Sequence, residues 1–198
     1  MTTVKRSESE SEISKVREKI QEIEDKTLGG NYIFRGEPKC YTEVSSGLWR
    51  GYRQILRDDL DIERIQREIV INHARQHLAG SIDNNDLGFG HSALQILIQL
   101  QHYGGKTNLI DFTTDVRVAL FFACDGFHDE VGRVILRKRE DIEGLVESPW
   151  EPNEPMHRVV AQSSIFVRPN KGYLTPDPDS IVEIPDALKV PILKYLQK

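Results

Sequence analysis

The chain has 198 residues, of which 38% are hydrophobic, and its formal net charge is −5 at pH 7. This length fits one domain of about 150 residues with room for an additional element, and it excludes two full-sized domains. The acidic balance argues against a nonspecific polyanion binder, although it does not exclude a local basic cleft.

The spacing of the cysteines and the lengths of the apolar runs indicate the cellular compartment of the protein. Cys40 and Cys124 lie far apart and lack metal-ligand spacing, which argues against a disulfide framework or a structural metal and predicts reduced thiols. No apolar run approaches the roughly 18 residues of a membrane span, and the N-terminal sequence has no signal-peptide hydrophobic region. We therefore expect a cytoplasmic protein without membrane contact.

The first expected element is a helix. Residues 9–26 carry a narrow apolar stripe at helical spacing, formed by Ile13, Val16, Ile20 and Ile23. We expect a helical extension over residues 1–28, ahead of a domain over residues 29–198. Two heptads are too few for a stable coiled coil, which favours a helix packed on that domain over a helix that docks a partner.

A strand and two helices follow. Residues 31–35 have the aromatic and branched side chains of a short strand that ends at Arg35. Helices are expected over residues 58–79, with capping residues Asp58 and Asp59, and over residues 93–103. In the first helix, His73 and His77 have i, i+4 spacing, but without an evident third ligand a solvated face is favoured over metal binding.

The second half of the chain predicts more strands than helices. A strand is expected over residues 107–112, and a helix over residues 116–123 that Thr113, Thr114 or Asp115 would cap. Further strands are expected over residues 133–137, 164–167 and 181–184, before a final helix interrupted by Pro191. This irregular alternation predicts an α+β fold, with a small mixed or antiparallel sheet flanked by several helices.

Polar residues interrupt the apolar elements where the chain turns. Arg35 after a strand is suited to fixing a phosphate or a carboxylate, although a structural ion pair would use the same residue. His102 lies at a helix C-terminus, where the helix dipole favours a protonated imidazole. It is a candidate proton donor, and capping of the last helix carbonyls is the alternative.

A second group of polar residues surrounds the strand at residues 107–112. Asp111 is expected at the end of a buried strand, where a carboxylate needs a partner, most simply an arginine. The hydroxyls of Thr113 and Thr114 would form an anion or ribose site with the next helix N-terminus, or would only cap that helix. Arg158 and Gln162 would face the same cleft or lie at the surface.

Four sequence motifs occur in a recognisable order. They are FRG at residues 34–36, QHYGGKTNLIDFTT at 101–114, VALFFAC at 118–124 and RVVAQSSIF at 158–166. Together they resemble the FRG domain family over residues 31–167. The chain differs from the family pattern at Lys106, Asn108, Phe112 and Ser164, where proline, arginine, tryptophan and glycine are usual. Lys106 would then supply the positive charge that is lost at residue 108.

The layout is also loosely similar to that of mono-ADP-ribosyltransferases. The resemblance implies that Arg35 anchors the pyrophosphate of NAD, that His102 and Tyr103 line the nicotinamide and ribose pocket, and that Asp111 or Gln162 orients an acceptor. It likewise assigns Thr113, Thr114 and Arg158 to NAD binding. The late glutamate of that superfamily is missing, so Asp111 or Glu183 would have to stabilise the charge that develops on the ribose.

Three classes of function are consistent with these residues. The leading expectation is an intracellular ADP-ribosyltransferase-like or NAD-consuming enzyme, a toxin or phage-defence effector that uses NAD, no metal and a macromolecular acceptor. One alternative is a metal-independent nuclease or phosphodiesterase, with Arg35 and Lys106 on phosphate and His102 as proton-transfer group. The other is a non-catalytic nucleotide- or protein-binding module, in which Asp111 and Arg35 pair for structure alone.

Overall fold

The computed structural model describes residues 2–54, 62–77, 91–142, 144–146 and 162–197. The helices are α1 (Thr2–Thr27), α2 (Gly47–Tyr52), α3 (Ile62–His77), α4 (His91–His102), α5 (Val116–Cys124) and α6 (Asp186–Leu196). The strands are β1 (Tyr32–Glu37), β2 (Val44–Ser45), β3 (Ile110–Thr113), β4 (Gly132–Lys138), β5 (Leu145–Val146), β6 (Ser164–Val167), β7 (Tyr173–Leu174) and β8 (Ile181–Ile184). The predicted α+β class is confirmed. None of the described helices has the length and apolar content to cross a membrane.

The main sheet is antiparallel and nearly divided in two. Its strand order is β5-β6-β3-β1-β4-β8, and β2 and β7 form a separate pair. Strand β1 pairs with β4 along its whole length, from Tyr32 opposite Lys138 to Glu37 opposite Arg133. By contrast, β1 and β3 are in register only where Phe34 lies opposite Thr113. The sheet therefore consists of two three-stranded halves that are joined at one point.

Most predicted elements agree with the structure, and the differences have local causes. Strand β1 continues past Arg35 to Glu37 because the ladder to β4 continues that far. Strand β3 starts at Ile110 and not at residue 107, because the backbone before it bonds to side chains, as where Leu109 donates to the Thr107 hydroxyl. Asp115 is the residue that caps α5, since its carboxylate accepts from the backbone N–H of Arg117.

Two predictions for α3 concern residues or side chains that the structure does not describe. Asp58 and Asp59 lie beyond the described residues, and nothing is described of the His73 and His77 side chains. Helix α3 itself begins at Ile62 and ends at His77. The capping and solvated-face interpretations of these four residues therefore stay predictions.

Both faces of the sheet are covered by apolar side chains. On one face, α1, α5 and α6 pack against Phe34, Val134, Leu136, Val182 and Ile184. Within this cluster Val16 and Ile23 of α1 are almost fully buried, so the N-terminal helix is packed on the helices and strands that follow it. The opposite face buries Ile33 and Ile135, which alternate with those residues along β1 and β4, together with Ile165 of β6.

Helix α5 lies directly on the backbone of the sheet. A Cβ atom at Gly36 would come within 1.8 Å of the Ala119 carbonyl oxygen, and one at Gly132 within 2.2 Å of the Ala123 carbonyl oxygen. Only glycine allows the helix and the two strands to come this close. The glycine of the FRG triplet thus sets the distance between α5 and β1.

A buried lysine holds two loops to the last helix. The Lys189 side chain of α6 is fully buried, and its ammonium group donates to the carbonyl oxygens of Pro38, Gly126 and Phe127. Three acceptors satisfy the three donors of the ammonium group. Lys189 therefore links the segments that follow β1 and α5.

The two cysteines should differ in reactivity. Cys124 is fully buried, and burial raises the pKa of its thiol from 9.0 to about 12, whereas Cys40 is exposed. We expect dithionitrobenzoate at pH 8 to label one thiol in the native protein and a second after unfolding in guanidinium. Because the thiol of Cys124 stays protonated to a higher pH in the folded chain than in the unfolded chain, it contributes to the free energy of unfolding. This contribution is complete below pH 9 and is lost as the pH rises towards 12. Rapid labelling of both thiols in the native protein would contradict this assignment.

Candidate functional site

A cavity of about 370 Å³ lies at the division between the two halves of the sheet. Its walls come from β1, β3 and β6 and from the helices α4 and α5. Four phenylalanine rings line it, those of Phe34, Phe112, Phe122 and Phe166. We call it the aromatic cavity, and its wall includes Phe34 and Thr113, the residue pair that joins β1 to β3.

Arg35 connects the two halves of the sheet across this division. Its Nη1 atom donates to the backbone oxygen of Asp111 at 2.8 Å, and its Nε atom donates to Oε1 of Glu37 at 2.9 Å. A side chain thus replaces a backbone ladder bond between β1 and β3. The Arg35 side chain is 20% exposed, and its Nη2 atom has no hydrogen-bond partner among the described residues. The Nη2 amino group of Arg35 can therefore donate hydrogen bonds to a ligand.

Glu37 holds Arg35 in place and is itself held by a second arginine. The carboxylate is 3% exposed, and its Oε2 atom accepts from Nε and Nη2 of Arg133 at 3.0 and 2.8 Å. Two guanidinium groups share one carboxylate, so this cluster carries a net positive charge. Glu37 and Arg133 were not among the predicted site residues, although the spacing of two between Arg35 and Glu37 places these two residues on one face of a strand.

Asp111 differs from its expected setting. It is exposed and lies near the start of β3, so the expectation of a buried carboxylate at the strand end is wrong. Arg35 donates a hydrogen bond to the backbone oxygen of Asp111. The Oδ1 atom of the Asp111 carboxylate accepts from Nε2 of Gln101 at 2.8 Å. The Thr107 hydroxyl in turn donates to Oε1 of Gln101. This chain of bonds orients the carboxylate of Asp111.

Three further predicted residues line the aromatic cavity. They are His102, at the end of α4, Thr113 and Gln162. The Thr113 hydroxyl donates to the backbone oxygen of Gln162 at 2.7 Å and accepts from the backbone N–H of Asp115 at 3.0 Å. Its hydrogen bonds therefore shape the turn before α5, but Asp115 is the residue that caps the helix, and neither threonine does so.

The remaining predicted residues lie elsewhere. Tyr103 is 83% exposed and is absent from the cavity wall, with its ring 5.3 Å from that of His102 in an edge contact. Thr114 is exposed, and its backbone N–H donates to Ser163. Glu183 is exposed on β8, an edge strand, away from the cavity wall. Arg158 lies outside the described residues.

A second cavity, of about 410 Å³, adjoins the first. Arg35, Gln101 and Asp111 line both cavities. Arg50 and Lys106 complete its charged wall, and we call it the cationic cavity. Lys106 was predicted to supply a positive charge, whereas Arg50 lies in none of the sequence motifs and was not predicted.

The fold and the site define an α+β protein with an antiparallel sheet whose two halves are bridged by an arginine beside a cavity of aromatic and polar side chains. A model of the FRG domain family matches residues 30–131, just over half of the chain. The chain belongs to the FRG domain family. Comparisons with curated proteins and with solved structures gave no match.

The structure explains the triplet that names the family. Phe34 lines the aromatic cavity, Arg35 connects the halves of the sheet and Gly36 admits helix α5. The QHYG motif supplies His102 and also Gln101, which holds the carboxylate of Asp111. The matched segments therefore converge on one cavity.

Proposed function

We propose that the aromatic cavity binds NAD and that the protein is an ADP-ribosyltransferase-like or NAD-consuming enzyme. The observation that supports this proposal is the convergence of Arg35, His102 and Asp111 on one cavity. Aromatic rings around these polar groups suit a planar nicotinamide ring, because stacked and edge contacts favour such pairs. The guanidinium group of Arg35 suits the pyrophosphate, because its Nη2 amino group can donate hydrogen bonds to phosphate oxygens.

The proposed reaction begins with cleavage of the bond between the nicotinamide nitrogen and the ribose C1′ atom. The bonding electron pair leaves with nicotinamide, which becomes neutral, and positive charge develops on the ribose. The Asp111 carboxylate, oriented by Gln101, stabilises that charge. Water or a nucleophilic group of the acceptor then adds to C1′ and transfers its proton to the His102 imidazole.

The similarity of layout to ADP-ribosyltransferases favours a macromolecular acceptor inside the cell and a role as a toxin or phage-defence effector. Asp111 is an exposed residue of the cavity wall, which is compatible with access by a large acceptor.

The role of Asp111 is tested by its neutral isostere. Asp111→Asn keeps an oxygen acceptor for Gln101 but removes the charge, so we expect nicotinamide release from labelled NAD to fall by about 100-fold or more. The assay uses purified protein with cell lysate as the source of acceptors, and thermal melting verifies folding. Glu183→Gln is the control, since it removes an exposed carboxylate that lines neither cavity. If Glu183→Gln lost nicotinamide release while Asp111→Asn kept it, the carboxylate that stabilises the ribose would be Glu183 and not Asp111.

The cationic cavity favours a second candidate function, metal-independent phosphodiester cleavage. Arg35 and Lys106 would hold the phosphate, and His102 would transfer the proton. The geometry is less direct here, because Lys106 and His102 line different cavities that have Arg35 in common. This candidate predicts RNA or DNA degradation that NAD does not affect and that His102→Ala abolishes.

A further inference from the structure

We infer that the cationic cavity holds the pyrophosphate of a dinucleotide through Arg50 and Lys106 together with Arg35. The inference rests on the proposed function, and it adds two binding residues and a place for the phosphates. The ligand would cross the boundary formed by Arg35 and Asp111, with its nicotinamide end in the aromatic cavity and its phosphates in the cationic one.

The charge of the cationic cavity is the first support. Arg35, Arg50 and Lys106 line it, and Asp111 is the carboxylate among its lining residues. Within the described part of the chain neither Arg50 nor Lys106 forms an ion pair. Since Glu37 is shared between Arg35 and Arg133, it does not fully neutralise Arg35 either. A cavity with this excess of positive charge attracts a multiply charged anion.

Neighbouring residues hold Lys106 at the cavity wall. A Cβ atom at Gly51 would come within 2.6 Å of Lys106 Nζ, so the missing side chain leaves room for the ammonium group. The same ammonium group lies 5.5 Å from the centre of the Tyr52 ring, a cation–π distance. These contacts position the ammonium group at the wall of the cavity.

Arg50 is an exposed residue that lines the cationic cavity together with Arg35. Partial desolvation and then the neighbouring charge of Arg35 lower the pKa of Arg50. One guanidinium nitrogen, Nη1, donates to the backbone oxygen of Ser45, which anchors the side chain. A phosphate between Arg35 and Arg50 would relieve this repulsion and accept hydrogen bonds from both guanidinium groups.

The test measures binding of inorganic pyrophosphate by titration calorimetry to the whole chain and to Arg50→Gln and Lys106→Gln. Loss of one charge-assisted contact should weaken binding by about tenfold in each variant. Lys138→Gln, which removes an exposed cation that lines neither cavity, should bind as the native protein does. NAD should displace pyrophosphate, and nicotinamide riboside, which has no phosphate, should not.

Several results would overturn the inference. One is the absence of pyrophosphate binding at millimolar concentration. Another is that Arg50→Gln and Lys106→Gln both bind pyrophosphate with the affinity of the native protein. A third is that Lys138→Gln loses as much affinity as these two variants do. Displacement by an RNA oligonucleotide and not by NAD would overturn the assignment to a dinucleotide.

The nicotinamide assay separates this inference from the function on which it rests. Weakened pyrophosphate binding in both variants, in a protein that releases no nicotinamide, would refute the proposed function and support the phosphate site. Nicotinamide release with unchanged pyrophosphate binding in both variants would refute the phosphate site alone.

Discussion

Replacing Glu37 with glutamine should lower the free energy of unfolding by about 3–5 kcal/mol, because it removes one partner from a buried ion-pair cluster. The Glu37 carboxylate is 3% exposed and accepts three hydrogen bonds, from Nε of Arg35 and from Nε and Nη2 of Arg133. Glutamine keeps the shape of the side chain but not its charge. Two guanidinium groups would then share a site without a counterion. Equilibrium unfolding in urea measures the change.

Glu68→Gln is the matched control for this experiment. Glu68 pairs with Arg64 one helical turn away, at 3.2 Å, and both side chains are mostly exposed. Exposed pairs of this kind are worth a few tenths of a kcal/mol, so we expect a change below about 0.5 kcal/mol. If Glu37→Gln changed stability as little as Glu68→Gln does, the cluster would be solvated and would not hold Arg35.

The second large effect is expected for Gly36→Ala. The new Cβ atom would come within 1.8 Å of the Ala119 carbonyl oxygen and 2.6 Å of the Ala123 backbone nitrogen. Because both obstacles are backbone atoms of α5, no side-chain rotation relieves the clash and the helix must move off the sheet. We expect a loss of about 3 kcal/mol and a fall in Tm of about 10 °C, measured by circular dichroism.

Gly47→Ala shows whether this cost is specific to position 36. A Cβ atom at Gly47 would have its nearest neighbour, Lys106 Cα, at 3.7 Å, which is ordinary van der Waals contact. Alanine is also a better helix former than glycine by up to about 1 kcal/mol, so Tm should stay unchanged or rise. A Tm for Gly36→Ala equal to that of the native protein would mean that α5 does not depend on the close contact.

Local patterns were sufficient for most of the secondary structure. The apolar spacing at residues 9–26 and 116–123 corresponds to α1 and α5, and the short runs at residues 164–167 and 181–184 are strands β6 and β8. These elements follow from side-chain periodicity and need no distant partner. Prediction was wrong at residues 107–109, where the backbone bonds to side chains such as that of Gln66, 42 residues away along the chain.

The candidate site was predictable only in part. Motifs identified Arg35, His102 and Asp111, which line one cavity. Nothing in the local sequence identified Arg133, because it reaches Glu37 across the register of β1 and β4 from 96 residues away. Arg50 was missed for the same reason, since only the folded chain brings α2 beside Lys106 and Arg35.

The sequence by itself determined the α+β class, the family and the identity of the polar residues that interrupt the apolar elements, because these depend on residue type and spacing. Only the tertiary structure decided that β1 and β3 join at one residue pair, that Arg35 spans the gap beside them and that two cavities meet there. Strand register and the position of α5 on Gly36 are long-range properties. They depend on the simultaneous packing of segments from the whole chain, and no single segment encodes them.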